Sequence, residues 1–365
     1  MKKKPRRKLP LPSRARAEGK RSSGSFDPRE VGGGGERLEK ESVISNKALA
    51  ELPPPLPLPS RGRGVPTKTR AGFVAILGAP NAGKSTLLNQ MIGQKVSIVS
   101  PKAQTTRIRT LGILSEEDVQ ISFIDTPGIF APKSRLDRAM VKAAWDSIKD
   151  ADAVVLLVDA SARKENEKTN AIIEELKTRN RQVILALNKT DALARDRLLP
   201  LAQNLNDTGI FSDIFMISAL KGDGVDDLKK HLKKLMPESP FFYGEDQISN
   251  LPSQILAAEL TREQLYRQLQ EELPYAAAVL PESLEEKRDG SVVIRQIIIV
   301  ARANHRPIVL GKGGARIKSI GEKARADIAR LFDRKVHLFL EVKADEKWQD
   351  RPDFYKTFGL EYGKK

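Results

Sequence analysis

From residue 72 the chain alternates short apolar runs, at 73–77, 121–124, 154–158, 183–187 and 214–217, with amphipathic segments of helix length. Unbroken apolar runs of this size predict strands buried on both faces, and the intervening helices predict a largely parallel sheet covered on both sides. A helix rich in Lys and Leu that meets Pro237 closes this first unit at 71–237, and 238–252 reads as a linker ending at Pro252. The pattern then changes. A helix at 255–273, strands at 276–284 and 292–303, a glycine turn, a second helix and a strand at 336–342 predict a small α+β domain over 253–345. A C-terminal segment, 346–365, follows. Residues 1–70 show no period; they mix Pro, Gly, Ser and charge, and they bury too little apolar surface to offset chain entropy, so a disordered basic tail is expected. Within it the Leu-Pro-rich stretch 9–16 returns almost unchanged at 56–63, a pattern compatible with polyproline structure.

A length of 365 residues suits two domains and a tail. The formal charge of +16 points to a polyanionic partner, although the first 70 residues hold 18 Lys+Arg against 7 Asp+Glu and so supply most of it. The absence of cysteine excludes disulfides, thiolate-ligated zinc and a thiol nucleophile, and suits a cytoplasmic location. His231, His305 and His337 lack metal-ligand spacing. No apolar run approaches the roughly 20 residues of a membrane-spanning helix, and the basic stretch at 2–16 lacks the apolar core of a secretory signal.

The chemistry is concentrated in a few loops. Gly78-Ala79-Pro80-Asn81-Ala82-Gly83-Lys84-Ser85 matches G-x-x-x-x-G-K-[ST] directly after a predicted strand and before a helix that starts at Thr86. Main-chain N–H groups there can surround phosphates at a helix N-terminus, with Lys84 reaching the β- and γ-phosphates and Ser85 ligating Mg²⁺. Asp125-Thr126-Pro127-Gly128 follows another strand; Asp125 can hold Mg²⁺ through water and the Gly128 N–H can face a γ-phosphate. Asn188-Lys189-Thr190-Asp191 closes a third strand. Asp191 can accept hydrogen bonds from guanine N1 and N2, which adenine cannot donate, and as a buried carboxylate it would penalise ATP. Ser218-Ala219-Leu220 follows the last strand and would support the base-binding turn. In Gln104-Thr105-Thr106-Arg107 either threonine could complete Mg²⁺ coordination when a γ-phosphate is present, and Thr106 is preferred. Ile129, after Gly128, cannot orient an attacking water as glutamine does in many switch proteins, so slow unaided turnover is expected.

These motifs, in this order, resemble the Era family of bacterial GTPases over residues 71 to about 360. The resemblance implies a P-loop GTPase domain followed by a type II KH domain. It also makes Asn81 a candidate holder of a K⁺ ion near the phosphates, which with Lys84, Thr106 and Gly128 would complete the catalytic set. In the second unit Gly311-Lys312-Gly313-Gly314 forms a G-x-x-G turn running into a helix, with Arg316 and Lys318 adding cations, as a KH domain presents its clamp for single-stranded RNA. By resemblance the RNA is the 3′ end of small-subunit rRNA. The partners are then GTP or GDP and the small ribosomal subunit, with peripheral contact to the inner face of the cell membrane and a monomeric state. A double-G-domain GTPase is disfavoured by the single P-loop, and a tRNA-modification GTPase by the missing cysteine. A different class, an RNA-binding protein that holds GTP without useful turnover, is the alternative.

Overall fold

In a computed structural model, residues 69–362 are described except 103, 163–165 and 180. The expected disordered tail therefore lies outside the described residues, apart from Thr69 and Arg70. Arg70 is not tail: it opens β1 (Arg70–Leu77) and pairs with Val119.

β1 is followed by α1 (Lys84–Ile92), β2 (Thr110–Glu116), β3 (Val119–Asp125), α2 (Arg135–Asp146), β4 (Ala153–Asp159), α3 (Asn166–Thr178), β5 (Val183–Asn188), α4 (Arg195–Asn206), β6 (Phe211–Met216) and α5 (Val225–Leu235). The strands form one sheet in the order β2-β3-β1-β4-β5-β6. All neighbours are parallel except β2 and β3, which pair antiparallel. Both faces are covered, as the unbroken apolar runs predict. α1 and α5 bring Leu87, Leu88, Met91, Leu228 and Leu232 to one face. α2, α3 and α4 bring Ala144, Ile172, Ile173, Leu176 and Leu205 to the other.

The stretch 238–252 is more than a linker, which corrects the sequence expectation. Ile248 O accepts from Ile113 N at 2.9 Å, and Asn250 Oδ1 accepts from Leu111 N at 3.0 Å. Ile248 and Leu251 are buried. The segment satisfies the outer edge of β2, whose unpaired donors would otherwise template association with another strand.

The second unit contains α6 (Ser253–Gln268), β7 (Ala277–Glu286), β8 (Val292–Val300), α7 (His305–Leu310), α8 (Ala315–Phe332) and β9 (Val336–Ala344). Its sheet runs β7-β8-β9, antiparallel then parallel. α6 and α8 cover one face through Ala258, Leu265, Ile320 and Ile328. α6 ends five residues before the expected position, and α7 is a helix where only a glycine turn was expected. The β-branched run Ile308-Val309 disguised it, and its helical state is set by burial of Val309 against α8 and the sheet.

Beyond β9, a 3₁₀ turn (Trp348–Asp350) and α9 (Pro352–Thr357) turn back over the junction between the units. Trp348, Phe354, Tyr355, Phe358 and Leu360 are buried together with Leu136 and Met140 of α2, Ile255 of α6, and Leu280 and Ile299 of the second sheet. The C-terminal segment is thus part of a shared core. Among the described residues no helix is long and apolar enough to cross a membrane. Trp348→Ala would leave a large cavity in this junction core and is expected to cost about 3–5 kcal/mol in urea denaturation; a cost under about 1 kcal/mol, typical of surface positions, would show that the segment is not packed as described.

Candidate nucleotide and RNA sites

The P-loop leaves β1 at Leu77 and enters α1 at Lys84. Gly83 has φ 100°, and a Cβ there would lie 2.3 Å from Asn188 Nδ2, so glycine is required by both conformation and close approach. Lys84 is buried, and its ammonium donates to the carbonyls of Gly78 (3.1 Å) and Ala79 (2.9 Å). Ala82 is buried, while Asn81 is exposed at φ 65° with Nδ2 donating to Pro101 O at 3.2 Å. Beside the loop lies a cavity of about 390 Å³ lined by Pro80, Asn81, Lys84, Ser85, Thr86, Thr106, Gly128 and Lys189, among others.

Three of the expected metal-binding side chains converge there. Ser85 Oγ lies 2.9 Å from Thr106 Oγ1 and donates to Asp125 Oδ2 at 2.9 Å. Thr105 also lines the cavity, but its hydroxyl donates to Lys102 O at 2.7 Å. Asp125 is fully buried, which pushes its carboxyl above the usual range against the opposing pull of Ser97, Lys84 and Ser85. Its Oδ1 is buried without a hydrogen-bond partner among the described residues. Hydroxyls gathered on one oxygen of a carboxylate whose other oxygen is unmet fit a hard divalent cation such as Mg²⁺. Thr126 Oγ1 is tied to Ile76 O at 2.8 Å, and Ile129 N donates to Gly78 O at 3.1 Å. These bonds place Pro127 and Gly128 against the P-loop so closely that a Cβ on Gly128 would meet Pro80 N and Cα at 2.8 Å. The Ile129 side chain is buried in the core under α2 and α3.

At the other end, Asn188 bridges two loops: Nδ2 donates to Ala82 O at 2.7 Å and Oδ1 accepts from Ala219 N at 2.9 Å. Thr190 Oγ1 donates to Ile217 O at 3.0 Å, and Lys189, in the left-handed region, pairs with Asp159. The Ser218 hydroxyl holds the Asp191 carboxyl below the usual carboxylate range, with Lys221 at 3.8 Å adding to it. Asp191 is an exposed residue as a whole, but its side chain, expected to be buried, is only 18 % exposed, whereas Leu220 is 78 % exposed. A base seated on this turn would complete the cover of the carboxylate, which Ser218 and Lys221 already flank. Two participants escaped the sequence reading. Ser97 donates to Asp125 Oδ2 at 2.6 Å, and Asn89 Oδ1 fixes that segment by accepting from Val96 N and Ser97 N. Neither belongs to a recognisable spacing.

In the second unit Gly311, Gly313 and Gly314 have φ of 74°, 57° and 78°, which turns the chain from α7 into α8. A Cβ on Gly311 would meet Arg316 N at 2.9 Å, whereas Gly313 and Gly314 face open space. Lys312 and Lys318 are exposed. Arg316 is also exposed, but its Nη1 donates to Ile308 O at 2.6 Å and so braces the turn.

Comparison with known proteins finds relatives of both units. A family model described as 50S ribosome-binding GTPase matches residues 73–189, and a KH domain model matches 272–349. GTPase Era of Caulobacter vibrioides is 51 % identical over 309 residues, covering 81 % of this chain and 98 % of that protein. GTPase Era of Erythrobacter litoralis is 53 % identical over 298 residues, covering 80 % and 98 %. The chain belongs to the Era family of GTPases. Two crystal structures of Era superpose with TM-score 0.75 at 39 % identity, covering 80 % of this chain and 99 % of theirs. One contains MgGDPNP and nucleotides 1506–1542 of 16S ribosomal RNA; the other is an Aquifex aeolicus Era variant bound to GDP and AlF₄⁻.

For this Era-family chain, Asn188→Ala removes both bonds of the bridge and strands a carbonyl and an N–H, at about 1–3 kcal/mol each. GDP affinity measured by titration should fall by at least about tenfold; unchanged affinity would show that the bridge does not hold the base-binding loops.

Proposed function

We propose that this chain is a GTP-hydrolysing switch that holds the single-stranded 3′ end of small-subunit rRNA during assembly of the small ribosomal subunit. The observation that carries this reading is the convergence of Ser85, Thr106 and Asp125 beside the P-loop, in a chain whose second unit presents a G-x-x-G turn. The relative that holds MgGDPNP and 16S rRNA nucleotides supports both halves.

In this reading the P-loop N–H groups and Lys84 bind the phosphates, and the Gly128 N–H meets the γ-phosphate. Ser85 and Thr106 would ligate Mg²⁺, and Asp125 would hold it through water. Bound there, Mg²⁺ neutralises charge on the β- and γ-phosphates. Asp191 reads guanine, with Ser218, Ala219 and Leu220 supporting the turn. No glutamine follows Gly128, and Ile129 is buried, so positioning and electrostatics carry the catalysis and unaided turnover is slow. Asn81, exposed at the cavity rim, is read as the holder of K⁺. Lys312, Arg316 and Lys318 supply cations around the Gly311–Gly314 turn, where backbone can approach about four nucleotides. The units are read as a G domain through residue 237 and a KH domain from 253 to 345. The reading places a monomer in the cytoplasm, with peripheral contact at the inner membrane face.

The test is the affinity of a labelled single-stranded 3′-terminal 16S rRNA fragment for the protein loaded with a non-hydrolysable GTP analogue and then with GDP. Tighter binding in the analogue state, abolished by Gly313→Asp, is expected; absence of RNA binding in both states would overturn the reading. GTP turnover should be faster in potassium than in sodium, and equal rates would remove K⁺ from it. Turnover that stays negligible with RNA and potassium present would favour the non-enzymatic alternative.

A further inference from the structure

The residue after Thr106 sits in an unusual place for a charge in a loop. Arg107 is 6 % exposed, and its guanidinium is buried in the second unit. Nη1 donates to Ala277 O at 2.8 Å; Nη2 donates to Tyr275 O at 2.9 Å and Pro274 O at 3.3 Å. The group lies 5.7 Å from the ring centroids of both Tyr266 and Trp348. The buried ion pair Glu259–Arg262 of α6 is adjacent. Thus α6, the chain entering β7, and the C-terminal segment all grip one side chain of the nucleotide-binding unit.

The other end of the same loop is also tied across the junction. Lys95 Nζ lies 2.6 Å from Glu263 of α6 and 3.6 Å from Asp327 of α8, and Arg267 donates to Val99 O at 3.3 Å. Between these anchors stands Thr106, against Ser85.

We propose that Arg107 is a positioning residue that fixes Thr106 relative to the second unit, so that closure of Thr106 on the nucleotide and seating of the RNA-binding unit occur together. The proposal rests on the reading that Thr106 completes the Mg²⁺ site and that RNA binds the Gly311–Gly314 turn. Adjacent Cα atoms stay about 3.8 Å apart, so while Arg107 is seated Thr106 can only pivot about it, and a larger retreat draws Arg107 from its seat. A guanidinium without water needs its carbonyls together, because partial withdrawal leaves a buried charge unmet. Two arrangements are therefore favoured, seated and withdrawn, and a ligand that prefers either one biases the other site.

The experiment compares the full chain with Arg107→Lys, which keeps charge but loses the planar fork, and Arg107→Met, which keeps bulk. RNA affinity is measured in the GTP-analogue and GDP states, with GDP affinity and thermal melting as fold controls, and RNA-stimulated kcat is measured separately from the KM for GTP. A wild-type affinity ratio of about 5- to 150-fold is expected. It should fall towards one in both variants, with loss of RNA stimulation of kcat, little change in KM, and a partial return in the Lys variant relative to Met. If Met does not fold, Lys alone decides. A wild-type ratio retained by a folded variant overturns the role of Arg107 and leaves the coupled switch standing; a wild-type ratio of one removes the coupling itself.

Discussion

The nucleotide edge depends on the register of one parallel sheet. Pairing sets Ile76 beside Asp125, Leu77 beside Leu156, Asp159 beside Asn188, and Leu187 beside Met216. The loops that begin with Gly78, Asp125, Asn188 and Ile217 therefore leave the sheet along a common edge, where parallel sheets bind ligands. A slip of one residue in any pair would exchange the faces of that strand. Apolar packing on both faces prevents it, because every strand from β1 to β5 is buried on both sides. Precision at the site is thus a property of strands that carry no chemistry, and the Asn188 amide merely transfers it from one loop to the next.

This explains which features were legible in the sequence. The interior strands announced themselves as unbroken Val, Ile and Leu runs, and the five loops carry residue types that phosphate, Mg²⁺ and guanine demand at fixed offsets. β2 was not recognised. As an antiparallel edge strand it interrupts its apolar residues with Gly112 and Ser115, and its outer side is completed by Ile248 and Asn250, more than 130 residues away. The 238–252 stretch looked like a linker for the same reason: its residues pair with a partner that only the fold supplies. Ser97, likewise, is ordinary in sequence and becomes a partner of Asp125 only because Asn89 folds the loop back.

The C-terminal segment was legible only as a remainder after the second domain. Its aromatic residues at 348, 354, 355 and 358 follow no simple helical or strand period, because they belong to a 3₁₀ turn, one short helix and the chain beyond it. Packing gives them their meaning. They fill the space between α2 and the second sheet, so the helix downstream of the Asp125–Gly128 loop shares a core with the second unit.

Two of the contacts that join the units differ in kind. The aromatic core against Leu136 and Met140 is apolar, and parting it would expose its whole area to water. Arg107 makes a polar contact, and burial lowers its pKa below the ordinary arginine value, with Tyr266 and Glu259 opposing that shift and Arg262 reinforcing it. An apolar side chain of similar volume could seal that position at least as firmly. A guanidinium differs in what happens on leaving: water can replace the three carbonyls, and weak hydration makes its return to the buried seat less costly for arginine than for lysine. An apolar hinge that persists beside a polar latch that can be rehydrated lets the second unit change its seat without detaching, and the latch lies one residue from the threonine that meets Ser85.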